Sequence, residues 1–211
     1  MMNRIPRRSE AGYTIIEMSI GMLILGLVVS AFMGALFSVQ RSFGRQSDRS
    51  QSNDQVRLAV EQIDREVRSG NLLYDPHLEN DPPNGIYPNM ALRIYTQTNA
   101  RTRDPGNRCV QWRILDGELQ SRSWTITWRI DGLVTPWRVI ADHVVNQTDV
   151  PQVPAFALDP ESTKGSRTLI VTILVNEKAG SGEDVRIQAS VTGRNTEYGY
   201  PSDICIDIPP Y

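Results

Sequence analysis

The first feature of the chain is an uncharged apolar run near its N-terminus. From Met18 to Gln40 there are 23 residues without a charge, and most are Met, Ile, Leu, Val, Ala, Phe or Gly. A helix of roughly 20 apolar residues crosses the hydrocarbon core of a bilayer, so the run predicts one membrane-spanning helix. Three arginines before the run favour a cytoplasmic N-terminus, whereas Arg41, Arg45 and Arg49 after it weaken this charge bias.

Apolar residues recur at helical spacing after a polar stretch over residues 41–55. The spacing i, i+3, i+4, i+7 and i+11 places them on one helix face: Val56, Ala59, Val60, Ile63 and Val67. The helix is predicted to end near Ser69-Gly70, with the glycine supplying the C-cap. Because the stripe is too short for sustained heptads, we expect it to pack on the protein's own sheet rather than in a coiled coil.

The rest of the chain shows the shorter patterns of β-strands. Residues 75–89 hold four prolines and predict a loop. Asp116-Gly117 is a two-residue hairpin signal, and Asp131-Gly132 marks another turn. These patterns predict an α+β fold, with a long N-terminal helix packed on an antiparallel sheet. The predicted strands are Ala91–Tyr95, Cys109–Leu115, Glu118–Ser123, Trp124–Ile130, Trp137–Val145, Leu169–Val175 and Val185–Val191.

Composition excludes several classes of protein. With 22 basic and 24 acidic residues the net charge is −2, which argues against general nucleic-acid binding. A mean hydropathy of −0.33 excludes a polytopic membrane protein. His77 and His143 lie in no recognisable catalytic spacing, so we predict no catalytic residue, metal site or cofactor. Three acids at positions 75, 79 and 81 offer an alternative, a cation site, although a solvated loop explains them better.

Glu17 stands at the start of the apolar run and needs an explanation. A carboxylate within a membrane costs several kcal/mol, which makes it a functional hypothesis unless it lies at headgroup level. A secretory signal peptide has an apolar core of roughly 7–15 residues, shorter than this run. A plain signal anchor is long enough, but it gives Glu17 no role.

The segment Gly12-Tyr13-Thr14-Ile15-Ile16-Glu17, behind a short basic leader, resembles the processing site of type IV prepilins and pseudopilins. The family pattern is Gly, an aromatic residue or Met, Thr, two aliphatic residues and Glu. Tyr13 in place of the commoner Phe is the only mild departure. The segment Leu58–Leu73 adds a weaker resemblance to the stems of large minor pilins and J-type minor pseudopilins.

This resemblance implies the processing and the organisation of the chain. A membrane prepilin peptidase would cut between Gly12 and Tyr13 and methylate the new Tyr13 amine. Glu17 would then pair with the N-terminal amine of a neighbouring subunit during assembly. Residues 1–12 would be the removed leader, 13–70 the long helix, and 71–211 an extracytoplasmic β-rich head.

The family also implies partners and leaves alternatives open. Other pilin or pseudopilin subunits, membrane lipid, and an inner-membrane assembly platform with its ATPase would be the partners. The chain would be a structural subunit, minor by its size and stem, of a cell-surface or envelope filament. The alternatives are a pseudopilin of a type II secretion or DNA-uptake system, and a membrane-anchored adhesin that never polymerises.

Cys109 and Cys205 lie outside the membrane in this topology, where disulfides persist. Type IV pilins often carry a C-terminal disulfide, although their loop is usually shorter. We therefore predict a bond between these two cysteines, with two free buried thiols as the alternative. Four tryptophans at strand-like positions predict core packing, with a partner- or glycan-binding face as the alternative: Trp112, Trp124, Trp128 and Trp137.

Overall fold

A computed structural model describes residue 12 and residues 14–97, 107–148, 151–160, 168–176, 184–193 and 203–210. The chain divides into two compact units, one up to Ser47 and one from Asp48 onward. Its elements are a long N-terminal helix followed by antiparallel sheets. The predicted α+β fold is therefore confirmed, and it is consistent with a pilin-like architecture.

Helix α1 spans Ile15–Ser69 and supplies the described helical part of the first unit. Its segment Ile15–Phe43 has 29 residues. The most apolar stretch of this segment has a mean hydropathy of 2.4, and none of that stretch is buried. Length and composition make this segment able to cross a membrane, as the apolar run predicted.

In the second unit, the C-terminal part of α1 packs on a sheet. Val56, Ala59, Ile63 and Val67 are at most 2% exposed and belong to one core with the strands. Leu58, on another face of the helix, is 63% exposed. The predicted packing of the amphipathic stripe on the protein's own sheet is confirmed.

The larger sheet has five antiparallel strands in the order β1-β2-β3-β4-β5. Its helix-side face is apolar, with Leu92, Ile94 and Trp112 in the α1 core. The opposite face carries a row of polar partners, Arg93, Gln111 and Arg122, on β2, β3 and β4. The strands are β1 Gly70–Leu73, β2 Ala91–Gln97, β3 Asn107–Leu115, β4 Glu118–Thr125 and β5 Arg138–Ala141.

The smaller sheet has three antiparallel strands in the order β6-β7-β8. They are β6 Phe156–Leu158, β7 Thr168–Val175 and β8 Val185–Thr192. The predicted single sheet is thus wrong: two sheets form, with an isolated bridge between Val144 and Val175. Strand β7 is the central strand of this sheet, and exposure alternates along most of β8.

The predicted strand Trp124–Ile130 is wrong beyond Thr125. The chain instead forms a short helix, α2, over Trp128–Asp131. The Asp131 carboxylate accepts hydrogen bonds from the hydroxyls of Thr125 and Thr127 and from the Leu133 N–H. These local bonds curl the backbone, and Gly132 ends the turn at φ 67°. The predicted strand over 137–145 is likewise shorter, limited to β5.

Gly70 acts differently from the predicted helix cap. Helix α1 does end at Ser69, but Gly70 is the first residue of β1 and is not among the glycines with positive φ. A Cβ at this position would lie 2.8 Å from Ile94 Cγ2 and 3.0 Å from the Glu66 carbonyl oxygen. The glycine is therefore explained by close packing between helix end and sheet rather than by a left-handed turn.

Candidate functional site

The prepilin-like motif lies at the start of α1. Gly12 is exposed, and Tyr13, the predicted site of cleavage and methylation, lies outside the described residues. Thr14 directly precedes the helix, and Glu17 is the acidic residue of its first turn. The described residues of the motif are thus accessible, and they lead into the apolar part of α1.

Thr14 and Glu17 form a reciprocal cap on the first turn of α1. The Glu17 N–H donates to Thr14 Oγ1 at 3.3 Å, and the Thr14 N–H donates to Glu17 Oε2 at 3.5 Å. This is the capping box, in which two N–H groups that lack helical partners are satisfied by side chains. The carboxylate also lies at the N-terminal end of the helix, where the backbone N–H groups carry partial positive charge.

The capping box gives Glu17 a local role beside the predicted intersubunit one. The Thr-x-x-Glu spacing is visible in the sequence as Thr14 to Glu17, so this signal was available and was missed in the sequence interpretation. The two roles use different properties of the side chain. A cap needs only an acceptor oxygen, whereas pairing with an amine needs the negative charge.

In the second unit, Cys109 and Cys205 are bonded, as predicted. Their Cα atoms are 5.8 Å apart, and both residues are fully buried. They form a second core cluster with Tyr95 and Trp124, on the sheet face opposite α1. The bond therefore fixes the C-terminal tail, residues 203–210, to strand β3.

Arginine side chains from the sheet hold the tail at further points. Arg93 Nη1 donates to the Cys205 carbonyl oxygen at 2.9 Å, and Arg122 Nη2 donates to the Pro209 carbonyl oxygen at 3.1 Å. Trp128 Nε1 donates to the Asp207 carbonyl oxygen, and Arg129 pairs with the Asp207 carboxylate. The tail is thus anchored from β2, β3, β4 and α2.

The acidic residues Glu79 and Asp75 of the 75–89 loop contact different partners rather than a common site. Glu79 is 5% exposed and forms an ion pair with Arg93 Nη2 at 2.7 Å. Burial raises the pKa of Glu79, and the Arg93 charge opposes that rise. Asp75 instead accepts the His77 N–H at 2.9 Å. Across the described residues no three His, Cys, Asp or Glu side chains lie close enough to hold a metal ion.

His143 lies beside an acid and a serine without forming a catalytic relay. Asp142 Oδ1 lies 3.0 Å, and Ser52 Oγ 3.5 Å, from the same ring nitrogen, Nδ1. A serine nucleophile would need to face the nitrogen opposite the one that contacts the acid. This contact connects α1 to the segment after β5 and offers no activated hydroxyl.

The tryptophans divide between core and surface stacking. Trp112 is fully buried, and its Nε1 donates to Glu66 Oε2 on α1 at 2.6 Å. Trp124 is 2% exposed in the disulfide cluster. The half-buried Trp137 ring stacks against two guanidinium groups, those of Arg113 at 3.9 Å and Arg122 at 4.4 Å. Core packing thus accounts for two of the four rings, while Trp128 and Trp137 support the tail and its arginines.

Comparison with protein-family models and with curated proteins found no match for this chain. The case for a function therefore depends on the residues themselves. Three local features are relevant to function: the exposed residues Gly12 and Glu17 of the motif, the apolar part of α1, and the disulfide that holds the tail to β3.

Proposed function

We propose that this chain is a structural subunit, and a minor one, of a type IV pilus-like filament. It inserts in the cytoplasmic membrane as a prepilin, is cleaved after Gly12 and methylated on Tyr13, and polymerises through α1. Its partners are a prepilin peptidase, other pilin or pseudopilin subunits, and an assembly platform with its ATPase. The head, in the second unit, is extracytoplasmic.

The observation that carries this proposal is the sequence Gly12-Tyr13-Thr14-Ile15-Ile16-Glu17, which leads into the 29-residue apolar segment of α1 that begins at Ile15. A glycine at the cut allows close approach to the backbone, because it has no side chain. The charge of Glu17 has no function in a simple lipid anchor, whereas a neighbour's amine in a filament would give it a partner. The intramolecular disulfide supports an extracytoplasmic head, since such bonds persist in oxidising compartments.

Processing tests this proposal. The chain is co-expressed with a prepilin peptidase, and its N-terminus is read by mass spectrometry. We expect loss of residues 1–12 and one added methyl group on Tyr13. Gly12→Val should block the cut, because a branched side chain beside the scissile bond obstructs the peptidase.

The matched control is Gly21→Val, which adds the same side chain farther along α1. A Cβ at Gly21 would meet nothing within 4 Å, so this variant should insert and be cleaved normally. An intact leader on the wild-type chain beside an active peptidase would contradict the proposal.

A further inference from the structure

The edges of the two sheets differ in how they are protected from pairing. Strands β1 and β5, the edges of the larger sheet, have four residues each and a shift in register against their neighbours. Strand β6 has three residues. Short length and bulges are devices that keep edge strands from pairing with other chains. Strand β8, in contrast, has eight residues in unbroken register with β7 and contains neither Pro nor Lys.

The backbone of β8 presents hydrogen-bonding groups to its open side. On β7, the Thr172 N–H donates to the Ala155 carbonyl oxygen, and the Thr172 carbonyl oxygen accepts from Asn146 Nδ2. Both groups therefore point away from β8. Gln188 is the partner of Thr172, and two such residues of an antiparallel pair direct their backbone groups away from each other. The N–H and C=O of Gln188 thus face the open edge.

The same direction holds at every second residue of β8. The direction of the backbone N–H and C=O groups alternates along a strand. These groups therefore face the open edge at Arg186, Ser190 and Thr192, as they do at Gln188. In the described sheet, whose order is β6-β7-β8, no strand occupies that side. The edge is therefore a regular row of donors and acceptors.

The side chains of β8 are arranged for a partner of the same sequence. Ile187 and Ala189 are partly buried against the core, and Val185 is half-buried on the same face. Arg186 and Gln188 lie on the opposite, exposed face. An added strand must therefore alternate in the same way, apolar on one face and polar on the other.

We propose that β8 pairs antiparallel with β8 of a second copy, around a twofold axis at Gln188. In this register Gln188 faces its own copy, Arg186 faces Ser190, and Ile187 faces Ala189. Apolar residues thus meet apolar residues, and no two like charges stand directly opposite each other. The pairing joins two three-stranded sheets into one of six strands.

The hydrogen bonds favour this register over one shifted by a single residue. The residues at positions 186, 188 and 190 all direct their backbone groups outward, and the register centred on Gln188 pairs each of them with another outward-facing residue. Each such pair exchanges two bonds, so about six new backbone hydrogen bonds form. A shift by one residue would place outward-facing residues opposite inward-facing ones and lose them.

One consequence rests on the proposed function. Paired β8 strands run in opposite directions, and so do the two heads that carry them. All subunits of a polar filament point the same way, so neighbours along one filament cannot make this contact. It would join heads of two separate filaments.

A charge exchange at the axis tests the pairing directly. Association of the purified full-length chain in detergent micelles is measured by sedimentation for wild type, Gln188→Lys, Gln188→Glu and the mixture of both variants. At low salt each variant alone should pair up to about fivefold more weakly, because like charges stand opposite each other. The mixture should recover pairing at or above the wild-type level. Gln188→Ala, which keeps the backbone donors, is the neutral control.

A distance measurement checks the register. A spin label on Thr192→Cys should lie about 28 Å from its copy, since eight residues at about 3.4 Å separate the two positions along the paired strands. A monomeric wild type, equal association of all variants, or a clearly different label distance would each overturn the proposal. Association through the apolar helix alone would give equal association of all variants. Because the assay uses no peptidase and no filament, its result is independent of the test of the proposed function.

Discussion

Removal of the Cys109–Cys205 bond should strongly destabilise the head. The perturbation is Cys109→Ala with Cys205→Ala, so that no unpaired thiol remains. The bond joins residues separated by 96 positions and therefore closes most of the head's chain in the unfolded state. For a loop of this length the chain-entropy relation gives about 4.7 kcal/mol of stabilisation at 25 °C.

The other contacts of the tail determine how much of this loss of about 4.7 kcal/mol is observed when the disulfide is removed. In the variant, Arg93 can still donate to the backbone of residue 205, and Arg122 to that of Pro209. These bonds keep the tail near its place, but burial of the two sulfur atoms in the core is lost. We expect a loss of about 3–5 kcal/mol, a large part of the 5–15 kcal/mol typical of a folded domain.

Denaturant unfolding followed by tryptophan fluorescence measures this loss. Trp124 is 2% exposed beside the disulfide, so its emission reports on this part of the head. The denaturant slope should rise as well, because an unfolded chain without the cross-link exposes more surface. A change of less than about 1 kcal/mol in the double variant would refute the argument that the bond stabilises by restricting the unfolded chain.

Two further predictions concern the packing of α1 on the sheet. Ile63→Ala should cost about 2–5 kcal/mol, since Ile63 is fully buried, whereas Leu58→Ala, at a position 63% exposed, should change the unfolding free energy little. Glu66→Gln should flatten the pH dependence of stability: burial raises the pKa of Glu66, so its contribution is fully present below the usual Glu pKa and is lost as pH rises through the raised value. Unfolding curves between pH 4 and pH 8 check this, and an unchanged pH dependence in Glu66→Gln would contradict it.

Much of the fold could be predicted because local patterns decided it. The Asp116-Gly117 turn adopts positive φ at both residues, as a tight hairpin requires, and β3 and β4 flank it as predicted. The alternation along β8 and the apolar run of β7 also match the structure. In each case the hydrophobic period and the turn residues agree with each other.

The failures come from contacts that no local pattern encodes. Trp124 and Trp128 have the spacing of a strand. However, the Asp131 carboxylate accepts hydrogen bonds from nearby hydroxyl groups, and these bonds stabilise the helical turn α2. The division into two sheets depends on long-range pairing. Buried partners such as Glu79 and Arg93 are charged residues whose burial could not be inferred from their own neighbours in sequence.

The candidate site also contains some residues that could be predicted from the sequence and others that could not. The motif from Gly12 to Glu17 was identified by its resemblance to the prepilin processing site, and its role stays a prediction. The cysteine pair was expected from the topology and the same resemblance, and its bond is confirmed. The arginines that hold the tail were missed, because Arg93 and Arg122 meet it only through tertiary folding. The Thr14 cap was encoded locally and could have been predicted.

The central claim is that the negative charge of Glu17 serves assembly between subunits, and Glu17→Gln tests it most directly. Glutamine retains an oxygen that can accept the Thr14 N–H, so the capping box is kept while the charge is removed. Insertion, cleavage after Gly12 and head stability should be unchanged. The measurement is the ratio of sheared-filament protein to membrane-pool protein, with Glu17→Ala as the variant that loses both cap and charge. We predict that both variants accumulate in the membrane and are depleted from filaments; wild-type incorporation of Glu17→Gln would contradict the pairing of Glu17 with a neighbour's amine.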